Sequence, residues 1–156
     1  MTHGENNNNW KWNFAAGFVP LTAGFVTLIT SMISKNNGDS SWNLILKKLD
    51  FSYHDIVAVS ENSGDFFDLV LSVSAVNIII GSFSIIMISR YALKYQYKWA
   101  WWYMLVALVW LGIQDAYSAY IFYTKTEAPL FIMPFTFCTL MAIGLIKSRE
   151  IVLHQK

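Results

Sequence analysis

The sequence predicts an all-α, polytopic membrane protein: four transmembrane helices, with an amphipathic helical stretch in the first loop, forming a single membrane domain over residues 1–156. Three observations predict it. Apolar stretches at residues 14–34, 69–89, 99–122 and 128–146 each come to about the ~20 residues that a spanning helix needs. Of 156 residues, 55% are hydrophobic and 13% charged, whereas globular domains carry roughly 25% charged residues. Among the charged side chains, only Asp115 falls inside an apolar stretch. A chain this short in water would expose apolar patches beyond what soluble monomers tolerate, so lipid or partner helices must cover it. A net charge of +1, without any basic recognition helix, excludes nucleic acid as a partner.

The first helix follows a polar lead whose one basic residue is Lys11, and its apolar run exceeds a signal-peptide core, so it is expected to be retained. The Asn6–Asn9 run predicts a mobile tail. Gly17, Gly24 and Ser31 recur every seven residues on one face, which predicts a packing seam, and Pro20 between them predicts a bend.

The loop over residues 35–68 is polar at both ends and patterned at its centre. Trp42, Leu44, Ile45, Leu49, Tyr53 and Ile56 gather on one broad face, which predicts one or two short helices on the membrane surface or capping the bundle. Asp39, Ser40 and Ser41 are expected caps at its start, and Asp65 and Asp68 at the start of the second span. His54, Asp55 and Glu61 are candidate metal ligands by residue type, but no H-x-x-x-H or H-E-x-x-H spacing accompanies them.

The second span carries Ser74, Asn77, Gly81 and Ser84 at steps of three, four and three, a polar stripe on one face. Unmet hydrogen-bonding groups are costly in hydrocarbon, so the stripe is expected to point into the bundle as interhelical glue or as the lining of a polar cavity. The third span opens on Trp99, Trp101, Trp102 and Tyr103 beside Lys98, an aromatic belt with a cationic anchor. Gln114 and Asp115 follow, then Tyr117. Asp115 lies about 7 to 8 Å from the middle of its span. A lipid-facing charge there costs at least a couple of kcal/mol, so Asp115 is expected to be neutral, paired or turned inward. The fourth span holds Pro134 and Cys138, the single cysteine. One cysteine excludes the four-helix thiol oxidoreductases that need pairs.

Four crossings put both termini and the 90–98 loop on one side. Lys11, Arg90, Lys94, Lys98, Lys147, Arg149 and Lys156 fall there, and most acidic residues fall opposite. Both termini are therefore expected in the cytoplasm and the first loop outside, across a prokaryotic cytoplasmic membrane. No phosphate loop, nucleophile triad or paired catalytic carboxylate is visible, and no cofactor is implied.

The segment Tyr91, Lys94, Lys98, Trp99, Ala100, Trp101, Trp102 resembles a basic loop running into a Trp-Ala-Trp helix start in uncharacterised small four-helix integral membrane proteins of prokaryotes. That resemblance implies a layout and no activity. The expected role is a non-catalytic subunit of a larger membrane complex of respiratory, oxidase or monooxygenase kind, with other subunits or itself as partners. The alternative is a small-molecule or proton-coupled binding or transport protein built around Asn77 and Asp115. A membrane enzyme would need the loop metal.

Overall fold

The computed structural model describes residues 8–153, except for the side chains of Glu61 and Ile151. His3, His154 and most of the Asn-rich tail lie outside the described residues. It is an all-α polytopic protein, with four helices long and apolar enough to cross a membrane. Helix α1 is Trp10–Asn36; α2, Asn43–Lys47, and α3, Tyr53–Val59, occupy the first loop. Helix α4 is Glu61–Tyr91. The third span is α5, Lys98–Ala107, a π-helical stretch Leu108–Ile113, and α6, Gln114–Thr126; the fourth is α7, Ile132–Leu153.

The element boundaries depart from the apolar runs where helical hydrogen bonding and hydropathy part company. Helix α4 begins eight residues before Leu69, because a helix continues into water once Ser60 caps it by accepting from Ser63 N–H. Asp65 and Asp68 are thus interior to α4 and are not its caps. Asp39 and Ser40 do not cap α2 either: they close a turn, Asp39 accepting from Ser40 N–H and Ser40 from Trp42 N–H. Helix α1 runs unbroken through Pro20. In α7, Pro134 falls in the first turn, where its missing N–H has no helical acceptor to serve.

Packing is densest between α1 and α4, which run antiparallel. A Cβ on Gly17 would stand 2.6 Å from Ile86 Cγ1, and one on Gly24 2.8 Å from Ile79 Cγ1 and 3.1 Å from the Ala75 carbonyl. With no hydrophobic force between helices in lipid, this backbone approach supplies the van der Waals contact that holds the pair. Ser31, next in the series, shares a 3.1 Å hydrogen bond with Ser41 in the loop. Helix α7 packs on the other flank of α1, and α5 on α7.

The core lies toward one end of the bundle. Trp10, Ile85, Leu93, Trp101, Met104, Met141, Leu145 and Val152 form it. Asn9 Nδ2 donates to the Lys147 carbonyl at 2.7 Å and Trp101 Nε1 to Leu145 at 3.1 Å, tying that end together. It is also the basic end: Arg90 and Lys94 stand 5.4 and 5.9 Å from the Trp10 ring, and Lys147 5.0 Å from Trp12. Cation–aromatic contacts of this kind replace carboxylate partners. Within the core Asn13 is 0% exposed and lies against Gly144, and neither its amide nor the Ser89 hydroxyl has a hydrogen-bond partner among the described residues.

Candidate functional site: a polar cleft between the second and third spans

Helices α4 and α5 meet near the basic end, but α4 makes little contact with α6. Their register is readable from Gly81, where an added Cβ would meet Leu111 Cδ1 at 3.9 Å. One turn further from the basic end, Asn77 on α4 and Asp115 on the third span therefore stand at about the same depth. Asp115 lies between the flank that carries Leu111 and the flank where Gly112 and Ala116 turn toward α7, and its carboxylate is close enough to Cys138 of α7 to act on it electrostatically. On Gly112 a Cβ would sit 2.9 Å from Cys138 Sγ. Asn77 and Asp115 thus stand at one depth on two spans that make little contact there.

The exposure of the wall residues departs from expectation. Ser74, Asn77, Gln114, Asp115 and Tyr117 are exposed, and Gly81 and Ser84 half-exposed. The stripe of α4 thus opens outward from the single chain where it was expected to point into the bundle, and Asp115 is neither buried nor paired. The reason is the divergence of α4 from α6: each helix spends its small-residue face elsewhere, α4 on Gly17 and Gly24, the third span on α7 through Gly112.

Several other polar groups on the apolar spans satisfy themselves. Thr22, Thr30, Thr136 and Thr139 each donate to the carbonyl four residues back at 2.7 to 2.8 Å, and Ser84 does so at 3.0 Å. Ser74, Asn77, Gln114 and Asp115 have no side-chain hydrogen bond or ion pair among the described residues. Directly before Gln114 the helix widens into the π stretch Leu108–Ile113. Such bulges recur at functional sites.

The first loop covers the far end of the bundle. Ser41 reaches α1, the Trp42 ring lies 6.2 Å from Phe122 of α6, and α3 docks on α4. Tyr53 is 8% exposed and its hydroxyl donates at 2.9 Å to Asp68, itself 7% exposed. Burial and the Asp68 carboxylate, with further negative charge from Asp65 and Asp39, push the Tyr53 phenol up to about 12. Gly64 lets α3 approach, with Val57 and Tyr53 within 3.2 Å of where its Cβ would be. The pair was invisible in sequence because fifteen residues separate its members; the one signal was a carboxylate abutting an apolar run.

Of the metal candidates, Glu61 has its side chain outside the described residues, and Asp55 is already engaged in a helix cap. Asp55 accepts from Ser52 N–H at 2.7 Å and from its hydroxyl at 2.6 Å as the return arm of a capping box, which holds its carboxyl below the usual range. His54 is exposed, and no three His, Cys, Asp or Glu side chains cluster at metal-binding distance among the described residues. A shallow polar basin of about 370 Å³ lies at the loop, between Thr30, Ser34, Asn43 and Lys47. No family model, curated protein or solved structure matches the chain.

Proposed function

We propose that the protein is a non-catalytic membrane subunit whose α4–α6 cleft receives a transmembrane helix of another subunit, or of a second copy, within a larger membrane complex of respiratory, oxidase or monooxygenase kind. One observation carries this reading: Asn77, Gln114 and Asp115 are exposed at one depth on apolar spans, without hydrogen-bond partners among the described residues. A carboxylate left toward lipid costs about 2 to 3 kcal/mol or more at membrane depth, and a helix that hydrogen-bonds or pairs with it removes that cost. Affinity isolation from native membranes in mild detergent, followed by mass spectrometry, is expected to return stoichiometric membrane partners or a homo-oligomer. A lone monomer would overturn the proposal.

A second reading has its own support in the π stretch ahead of Asp115, a backbone feature found beside binding and transport sites. In that reading Asn77 and Asp115 bind a small polar solute or carry a proton. Asp115→Asn separates the two. A packing role predicts loss of co-isolated partners with no pH-dependent flux to lose, and a transport role predicts retained assembly with pH-dependent flux abolished.

A further inference from the structure

On the opposite flank of the third span, α5 and α7 enclose a groove of about 420 Å³ whose walls include Trp101, Trp102, Leu105, Leu108, Ala142 and Arg149. Apart from Arg149 its lining is apolar. We propose that this groove binds one anionic phospholipid, with an acyl chain along α5 and α7 and the phosphate at Arg149.

The geometry points to a lipid through its direction and its ends. From Trp101 on α5 to Leu108 at the start of the π stretch, and from Leu153 to Ala142 on the antiparallel α7, the lining runs about 10 Å along the third span and about 16 Å along α7. At the basic end the groove is bordered by Trp101, Trp102 and Arg149, with Leu153 one turn beyond. The other end lies in hydrocarbon. Trp101 has committed its indole N–H to the Leu145 carbonyl, so that side chain presents only its apolar ring to a ligand. A straight, apolar slot open to the bilayer fits a chain of methylenes.

The charge at the basic end selects the headgroup. Arg90, Lys94 and Lys147 are engaged over tryptophan rings, whereas Arg149 borders the groove and makes no ion pair among the described residues. A guanidinium presents a planar fork that matches phosphate, and basic pockets between spans are recognised lipid-headgroup sites.

The test is native mass spectrometry of the full chain in mild detergent, titrated with phosphatidylglycerol or phosphatidylcholine of the same acyl composition. The wild-type protein is expected to retain one phosphatidylglycerol in preference to phosphatidylcholine. Arg149→Gln should cut that preference about fivefold, the share of one juxtamembrane basic residue, while Lys94→Gln leaves it in place. Ala142→Phe, which fills the slot, should lower retention of both lipids at an unchanged melting temperature. Equal binding of the two lipids by the wild type, or equal losses in Arg149→Gln and Lys94→Gln, would show that general surface charge is at work and overturn the proposal. Undiminished binding by a folded Ala142→Phe protein would remove the groove as the site.

Discussion

A single methyl group separates two glycines of the bundle. On Gly24 it would come within 2.8 Å of Ile79 and 3.1 Å of a carbonyl of α4, whereas on Gly81 it would meet one leucine methyl at 3.9 Å. Gly24→Ala should therefore push α1 off α4 and destabilise by about 1–3 kcal/mol, the usual cost of overpacking. Gly81→Ala should gain roughly 1 kcal/mol, because alanine is the better helix former and nothing resists it. Thermal unfolding in detergent checks both, and a Gly24→Ala protein melting at or above the wild type would refute close approach as the bond between these helices. Asn13 poses the converse case. Its amide is buried without a partner among the described residues, so Asn13→Val, only modestly larger and free of polar atoms, should raise stability by about 1 kcal/mol. A lower melting temperature in that variant would mean that the amide is held by a group outside the described residues.

At the scale of elements, the four spans were legible because lipid demands long apolar runs, a signal that survives every detail of packing. The ends were less so. Residues 61–68 are polar and read as loop, yet they are the first turns of α4, because a capped helix needs hydrogen bonds and not hydropathy. The short loop helices were legible as an amphipathic pattern, but the contact that docks α3, Tyr53 to Asp68, depends on a register that no local pattern encodes. Its titration checks it. The Tyr53 phenol titrates ordinarily at 10.0 and is pushed up to about 12 in the fold. A raised folded value means that this contribution to stability is complete below pH 10 and lost as pH rises from there toward 12. Tyrosinate absorbance should show one phenol ionising later than the others, and Tyr53→Phe should delete that last step. On the acid side Asp55 behaves oppositely. Its folded value is depressed, so the capping box on α3 contributes fully above the ordinary 3.8 and is lost as pH falls through the folded value. Loss of the late phenol in the wild type at high pH would show that α3 does not dock.

For the whole molecule, the uneven placement of packing decides what the chain can do alone. Tryptophans and the Gly17–Gly24 seam close the basic end and the α1–α4 face, and the loop caps the far end, but the third span leans on α7 and leaves α4's polar stripe uncovered. The stripe itself was legible from spacing; its direction was not, because a helical period gives a face without saying which neighbour covers it. Asp115 had the same ambiguity. Orientation across the membrane sets which compartment meets each end, and the charge distribution is the ground on which we propose a cytoplasmic basic end. Arg90, Lys94, Lys98, Lys147 and Arg149 cluster at one end, close to the spans and in short connections, the arrangement that retains a segment in the cytoplasm. In a Cys138→Ala background, His54→Cys and Lys94→Cys place single thiols at two exposed positions at opposite ends. An impermeant maleimide added to sealed, right-side-out membranes should label the first at once and the second only after permeabilisation. The reverse pattern would put the basic end outside and the loop in the cytoplasm, against the charge argument. Labelling of both from one side would reject four crossings altogether, since an odd number of spans separates residue 54 from residue 94.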